Sequence, residues 1–194
     1  MNTFNTGPSV KLNGKLKNWF NFSRNNILQV YSGKIDIGQH ISSTLALISS
    51  KITGVDYDQV EIIKLDTDIS PDEGKTASSL SVPDSGTAIK AASFTLRKAF
   101  LRYSLKYLNV NIQETAFENG ILRDIKSNRS ISYWDYAKTK EFNELVIPAK
   151  FNEDEIKEFN YKNNQKIEIK TIHDIVTGKY LYVHDIKFPN MLHA

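Results

Sequence analysis

Gly38 and Gln39 stand where an alternating apolar stretch gives way to a helical one, in "YSGKIDIGQHISSTLALISSKI". A helix that begins there presents up to four backbone N–H groups without intrahelical partners and about half a unit of positive charge. Such an end suits a phosphate, a phosphoester tail or an electron-rich heterocycle. Gly38 lets a ligand come close to the backbone. The Gln39 amide offers two donors and an acceptor, which can read a flat heterocycle in two places, and His40 follows it. The plainer reading is a glycine that turns the chain beside a solvated glutamine. A second stretch, "DTDISPDEGKTASSLSVPDSG", supplies hydroxyls at Thr76, Ser78, Ser79, Ser81 and Ser85 and backbone access at Gly74 and Gly86. It ends at the start of another long helix. Two polar helix starts could converge on one anionic ligand; the alternative is a solvated surface loop.

Other chemistries find less support. Asp66, Asp68, Asp72 and Glu73 are the dense acid cluster, but their spacing is not that of a calcium loop. His40, His173, His184 and His193 include no i, i+4 pair for zinc. No G-x-S-x-G elbow, P-loop or G-x-G-x-x-G is present. Cysteine is absent, which excludes disulfides, thiolate metal sites and cysteine nucleophiles. The net charge of +3, with lysines and acids interspersed, argues against nucleic acid as a partner. No apolar run is long enough to span a membrane, and no apolar signal segment is visible, so the expectation is a cytoplasmic protein.

The elements that position these residues follow from periodicity. At 194 residues, 40% hydrophobic and 24% charged, the chain can bury a real core. "ILQVYS" from Ile27 reads as a strand, extended through Ile35 and Ile37. Ile41, Leu45, Ile48 and Ile52 mark one face of a helix, stopped by Gly54. Val60 to Asp66 is the next strand. Asp66 to Ser85 is a long loop, too long to be structureless without a function or disorder. Ser85 is the expected N-cap of a helix from Gly86 to Leu108, with Ile89, Ala92, Leu96, Ala99, Tyr103 and Tyr107 near one stripe and Phe100 beside it. Asn119-Gly120 suits a type I′ hairpin turn. "SYWDYA" reads as aromatic packing with a short helical turn, and a second hairpin is expected around Gly178. The fold expected is α/β in the α+β sense: a β-sheet with two long helices packed on one face, a small hairpin and a peripheral C-terminal segment. Residues 1–25 form an irregular arm anchored by Trp19 and Phe20, 26–137 the α/β domain, and 138–194 a linker and the start of a following, truncated domain.

Several stretches, in order, resemble one family. "VYSGKIDIGQHISSTLALISSKITGVDYDQVEII" is similar to the "V-GK-E-GQG" strand–helix unit of the molybdopterin-binding large subunits of the xanthine dehydrogenase and aldehyde oxidase family. "DTDISPDEGKTASSLSVPDSGTAIKAA" resembles that family's "DT---(T/S)PNEG-TAGS-S---SG-A---A", while "SISYWDYA" and "TGKYLYVHDIKFPNMLHA" resemble its "YW-LA" and "TG---YV-D---PGMLHA". The likeness is nearest to the isoquinoline and nicotinate dehydrogenase branch. It implies a component of a molybdenum hydroxylase, an oxidoreductase that hydroxylates an aldehyde or N-heterocycle. It implies molybdopterin as cofactor, often as a cytosine dinucleotide, bound with the rest of the large chain. The implied partners are the remaining large-subunit chain and a small subunit carrying 2Fe–2S clusters, in a complex that is periplasmic in some relatives. Gly38 and Gln39 match the "GQ" pair that lines the pterin; Ser78, Ser79 and Ser81 match hydroxyl positions of the second segment; His40, Thr76 and Gly86 complete the implied cofactor-binding set. No residue matches the catalytic glutamate and no metal ligand is implied. His40 replaces a glycine of the pattern and Ser78 another, and the sequence stops at "MLHA" where the family continues. These departures support a second expectation, a non-catalytic remnant or assembly module that has lost the cofactor.

Overall fold

A computed structural model describes residues 3–152 and 168–192. Thr3–Asn5 (β1) pairs antiparallel with Lys150–Asn152 (β8), stacking Phe4 on Phe151 with ring centroids 5.5 Å apart. Between them the chain runs through Gly7–Leu12 (α1), a 3-10 turn at Leu16–Asn18, and Phe20–Phe22 (β2). The irregular arm expected over 1–25 is therefore a built part of the core. Val10, Leu16, Trp19 and Phe20 are buried, and the Trp19 indole donates to Asn13 O at 2.8 Å. Polar spacers mask this in the sequence, because four apolar anchors suffice when each is fully covered.

β2 pairs antiparallel with Leu28–Val30 (β3), and β3 pairs parallel with Val60–Ile62 (β4). A parallel pair needs a crossover. Here it is the helix Ile41–Thr53 (α2), which lays Ile41, Leu45 and Ala46 on the sheet side and ends on Gly54 at φ 74°. Only glycine adopts that conformation without strain, and its N–H returns to Ser50 O. β3 is shorter than the sequence suggests. Past Val30 the chain leaves the sheet because the N–H groups of Gly33, Lys34 and Ile35 bond to side chains, not to a neighbouring strand.

The second long helix, Thr87–Leu108 (α3), is preceded by a π-helical turn, Val82–Gly86. Ser85 is therefore not its N-cap: it lies buried inside the turn. Pro83, with its fixed φ and missing N–H, sits in the opening turn where neither is a cost. α3 is buried on all sides from Ala91 to Arg97 and packs against α2. Tyr107, expected on the buried stripe, is 62% exposed.

Thr115–Glu118 (β5), Ile121–Asp124 (β6) and Ser130–Ser132 (β7) form an antiparallel meander. Asn119 and Gly120 have φ 46° and 76°, the expected type I′ turn. Tyr133–Tyr136 (α4) follows, capped by Ser132, and buries Tyr133 and Tyr136 against Phe100, with centroids 4.3 and 5.9 Å away. "SYWDYA" is aromatic packing, as expected. Lys140–Glu144 (α5) carries Phe142 into the same cluster. Residues 138–152 are thus part of this core; Leu16 N–H bonds to Leu145 O and Ile147 N–H to Gly14 O. Residues 153–167 of the expected linker lie outside the described residues, as does His193.

After Ile172–Val176 (α6) no C-terminal hairpin forms among the described residues. Gly178 turns the chain at φ 70°, but Lys179 and Tyr180 both donate their N–H to Asp174 O, closing the end of α6 where a ladder would need them. The architecture is α+β; among the described residues there are two long helices, and the strands fall into three small sheets. Among the described residues no helix is long and apolar enough to cross a membrane.

Candidate functional site

Residues 32–36 and 70–76 are built into one body by a buried polar clamp. Glu73 Oε2 accepts from Ser32 Oγ at 2.8 Å and from Gly33 N–H at 2.7 Å. Lys34 is buried, and its ammonium donates to Glu73 O at 2.7 Å and Lys75 O at 3.1 Å. Thr76 Oγ1 accepts from Ile35 N–H at 3.0 Å. A buried charge is tolerated only when such bonds replace water. Gly33 is required at the crossing, since a Cβ there would lie 2.3 Å from Pro71 O. Asn13 ties the same loop to the body through Asp72 O at 2.9 Å.

The turn that opens α2 is closed by its own acid. Asp36 Oδ1 accepts from Gly38 N–H at 3.0 Å and His40 N–H at 3.2 Å, and Oδ2 from Ser42 N–H at 3.4 Å. A carboxylate at the positive end of a helix is a favourable placement. Gly38 has φ 109° and His40, the N-cap residue, φ 57°, so both occupy the left-handed side of backbone space. Gln39 turns back on its loop: its Oε1 accepts from Ile37 N–H at 2.7 Å and its Nε2 donates to Ile35 O at 2.9 Å. His40 Nδ1 is buried without a hydrogen-bond partner.

The expected site residues thus fall into groups. Gly38, Gln39 and His40 form one turn, and the clamp brings Thr76 to its base. Ser78 and Ser79 are exposed, each at φ 56°, and Ser81 is half-buried at the entry to the π-turn. Gly86 does not join them. It is buried in the α2–α3 contact, where a Cβ would lie 3.3 Å from Ile48 Cδ1 and 3.4 Å from Val82 Cγ1. The opening of α3 therefore packs against the middle of α2, not beside its first turn. Convergence is between two loops, not two helix mouths.

Sequence reasoning missed Asp36 and the clamp residues Ser32, Lys34 and Glu73. An acid two residues before Gly38 was a readable Asx-turn signal; nothing in the sequence marks Glu73 as buried. A recess of about 600 Å³ between β2 and α4, walled by Phe22, Trp134 and Phe142, involves none of the expected site residues.

These loops test what group could be held. With the Asp36 carboxylate on the His40 and Ser42 amides, a phosphate at that mouth is disfavoured, because two anions would share one partial positive charge. What the turn itself offers is the Gly38–Gln39 backbone and the outer face of the Gln39 amide; the exposed Ser78 and Ser79 lie further along the other loop, past Thr76. The turn's own groups fit the hydrogen-bonding edge of a flat heterocycle.

The fold is an α+β domain in which two motif-bearing loops are tied together by a buried clamp. The family described as the molybdopterin cofactor-binding domain matches residues 3–175, and the chain belongs to that family. It is similar to one of the subunits of nicotinate dehydrogenase from Pseudomonas putida, with 27% identity over 188 residues, 96% of this chain and 15% of that protein. Cu,Mo-CO dehydrogenase and the reconstituted CO dehydrogenase from Oligotropha carboxidovorans share the fold, with TM-scores of 0.50 and 0.51. Each is 18% identical and matches over 68% of this chain and 17% of its own. The chain therefore spans a small fraction of the length of each of these proteins.

Proposed function

We propose that this chain supplies contacts to the pterin of a molybdenum hydroxylase and is inactive without the rest of the large subunit. When bound, the molybdenum–pterin group supplies hydroxylation of an electron-poor carbon, with an aldehyde or N-heterocycle as substrate class. The chain's own part is binding and orientation. The Gly38–Gln39 turn would face the pterin edge, with Ser78, Ser79 and Ser81 beside it and Thr76 holding the turn's base. Gly86 serves helix packing in this reading. A phosphate or cytosine dinucleotide tail would be held by residues of the remaining large chain, since Asp36 closes the nearer helix end. Electrons would leave through a small subunit with 2Fe–2S clusters.

The observation that carries this reading is the clamp, in which Glu73, Lys34 and Thr76 join the two motif-bearing loops across about forty residues of sequence. The test is co-expression with a chain encoding the remaining large-subunit segments, followed by molybdenum analysis and pterin fluorescence of the purified complex. Molybdenum and pterin in equal amounts with this chain are expected, and Gln39→Ala lowers both. A complex free of molybdenum, under conditions that load an intact relative, overturns the reading.

A second reading, a remnant that keeps the fold without the cofactor, has one observation in its favour. His40 places an imidazole in a left-handed position where the family pattern has glycine. His40→Gly separates the two: it raises molybdenum loading if the imidazole obstructs a working site and changes nothing if the site is lost.

A further inference from the structure

Tyr180 and Tyr182 are half-buried in a stretch whose other residues, Leu181 and 183–192, are exposed. Their rings meet edge to face with centroids 4.8 Å apart. The Tyr182 hydroxyl lies 3.6 Å from where a Cβ on Gly38 would stand. Tyr180 lies by Asp36: burial first, and then that carboxylate, push its pKa above the usual tyrosine value. The two rings therefore sit over the turn that opens α2.

The attachment of this stretch is uneven. Upstream it is firmly held, since Lys170 donates its N–H to Ser43 Oγ at 3.0 Å and its ammonium to Tyr57 O at 2.6 Å. Asp174 O fixes Lys179 and Tyr180 N–H at 2.8 and 3.0 Å. Beyond Tyr180, the hydrogen bonds among the described residues stay within the tail: Tyr182 N–H to Asp185 Oδ2 at 2.9 Å, and the backbone bonds of the turns at Asp185, Ile186 and Met191. Leu181, Val183 and Phe188 are 67%, 64% and 68% exposed. Two aromatic rings thus hold a segment hinged at Gly178. Few buried apolar contacts, and no hydrogen bonds to the body among the described residues, mark a segment that opens at low cost.

We propose that residues 179–185 are a strap across the Asp36–Gly38 turn, and that the turn is open to a pterin only when Tyr182 lifts. This rests on the pterin-contacting role given to that turn above. A site closed by its own chain shows a weaker apparent affinity in proportion to the closed fraction, about tenfold for a strap closed about nine-tenths of the time.

The experiment uses the full chain, with Tyr182→Ala and Tyr180→Ala as strap variants and Leu181→Ala as an exposed control. Hydrogen exchange is read at residues 36–42, and affinity is measured with 6-hydroxymethylpterin by its fluorescence. Both tyrosine variants are expected to exchange faster at Gly38, His40 and Ser42, and to bind the pterin more tightly by up to about tenfold. Leu181→Ala matches the unaltered chain. Faster exchange with no pterin binding in any protein upholds the strap as a cover of the turn and overturns the proposal that this chain alone admits a pterin there. Unchanged exchange in both tyrosine variants overturns the strap. Faster exchange with unchanged pterin affinity overturns its control of access.

Discussion

The Glu73 carboxylate accepts the Ser32 hydroxyl at 2.8 Å, joining residues forty-one apart in the chain. The same oxygen takes Gly33 N–H, so one buried side chain ends β3 and seats the serine loop. Glu73→Ala leaves both donors unpaired in a covered place. Each such orphan costs about 1–3 kcal/mol. Urea unfolding is expected to show a loss of at least about that size, and proteolysis is expected to cut residues 66–80 first. A variant as stable as the parent would show the clamp to be unimportant.

Gly33→Ala drives a methyl group to 2.3 Å from Pro71 O, a backbone atom that cannot rotate away. The loops must part, at about 1–3 kcal/mol. Exchange at Ile35 N–H is expected to quicken, since its acceptor is Thr76 Oγ1 on the far loop. Gly74→Ala is the control: it meets open space and costs only the strain of a positive φ, about 1–2 kcal/mol, without faster exchange at Ile35.

Asp36→Ala removes the carboxylate from three amides of the turn that leads into α2, those of Gly38, His40 and Ser42. Loss of such a cap costs about 0.5–2 kcal/mol. The freed helix end becomes a site for anions, so inorganic phosphate is expected to raise the melting temperature of the variant more than that of the parent. Equal effects on both proteins would contradict the placement of Asp36.

Gly120→Ala tests the hairpin. A Cβ there would lie 2.7 Å from Tyr133 Cδ2, and the position needs φ 76°. Tyr133 is buried with its hydroxyl on Thr53 O at 2.9 Å, so the clash passes into the aromatic core. The expected loss is about 1–3 kcal/mol by urea unfolding, accompanied by a change in near-ultraviolet circular dichroism.

Acid is expected to loosen the β5–β7 region and the start of α4. The Ser127 hydroxyl holds Asp124, and the Ser132 hydroxyl holds Asp135, below the ordinary carboxyl value of 3.8. A depressed folded pKa gives stability that is full above the unfolded value and lost as pH falls through the folded one. Stability should therefore hold down to about pH 4 and decline below it. Asp124→Asn is expected to flatten that decline in unfolding measured from pH 5 to pH 2. An unchanged slope would show that this carboxylate is not responsible.

Much of the fold was legible where one residue type dictates one backbone state. Asn119-Gly120 specifies a turn with two positive φ angles; Gly54 ends α2; the apolar spacing of α2 and α3 gives both helices. The C-terminal hairpin and the irregular arm were misread because each depends on partners distant in sequence. Asp174 O captures the amides the hairpin would use, and the arm is fixed by Leu16 N–H on Leu145 O and by Phe22 on Phe142, partners that arrive more than a hundred residues later.

The site divides the same way. By itself the sequence determined that a glycine opens α2 beside an amide, that hydroxyls crowd one loop, and that these motifs belong to a molybdopterin-binding family. Tertiary structure alone decided that Glu73 and Lys34 are buried and bonded, that Gly86 packs against Ile48, and that Asp36 and Tyr182 share the Gly38 turn. The reason is physical: a residue's backbone preference acts locally and can be read in place, whereas burial and hydrogen-bond pairing depend on which distant atoms exclude water.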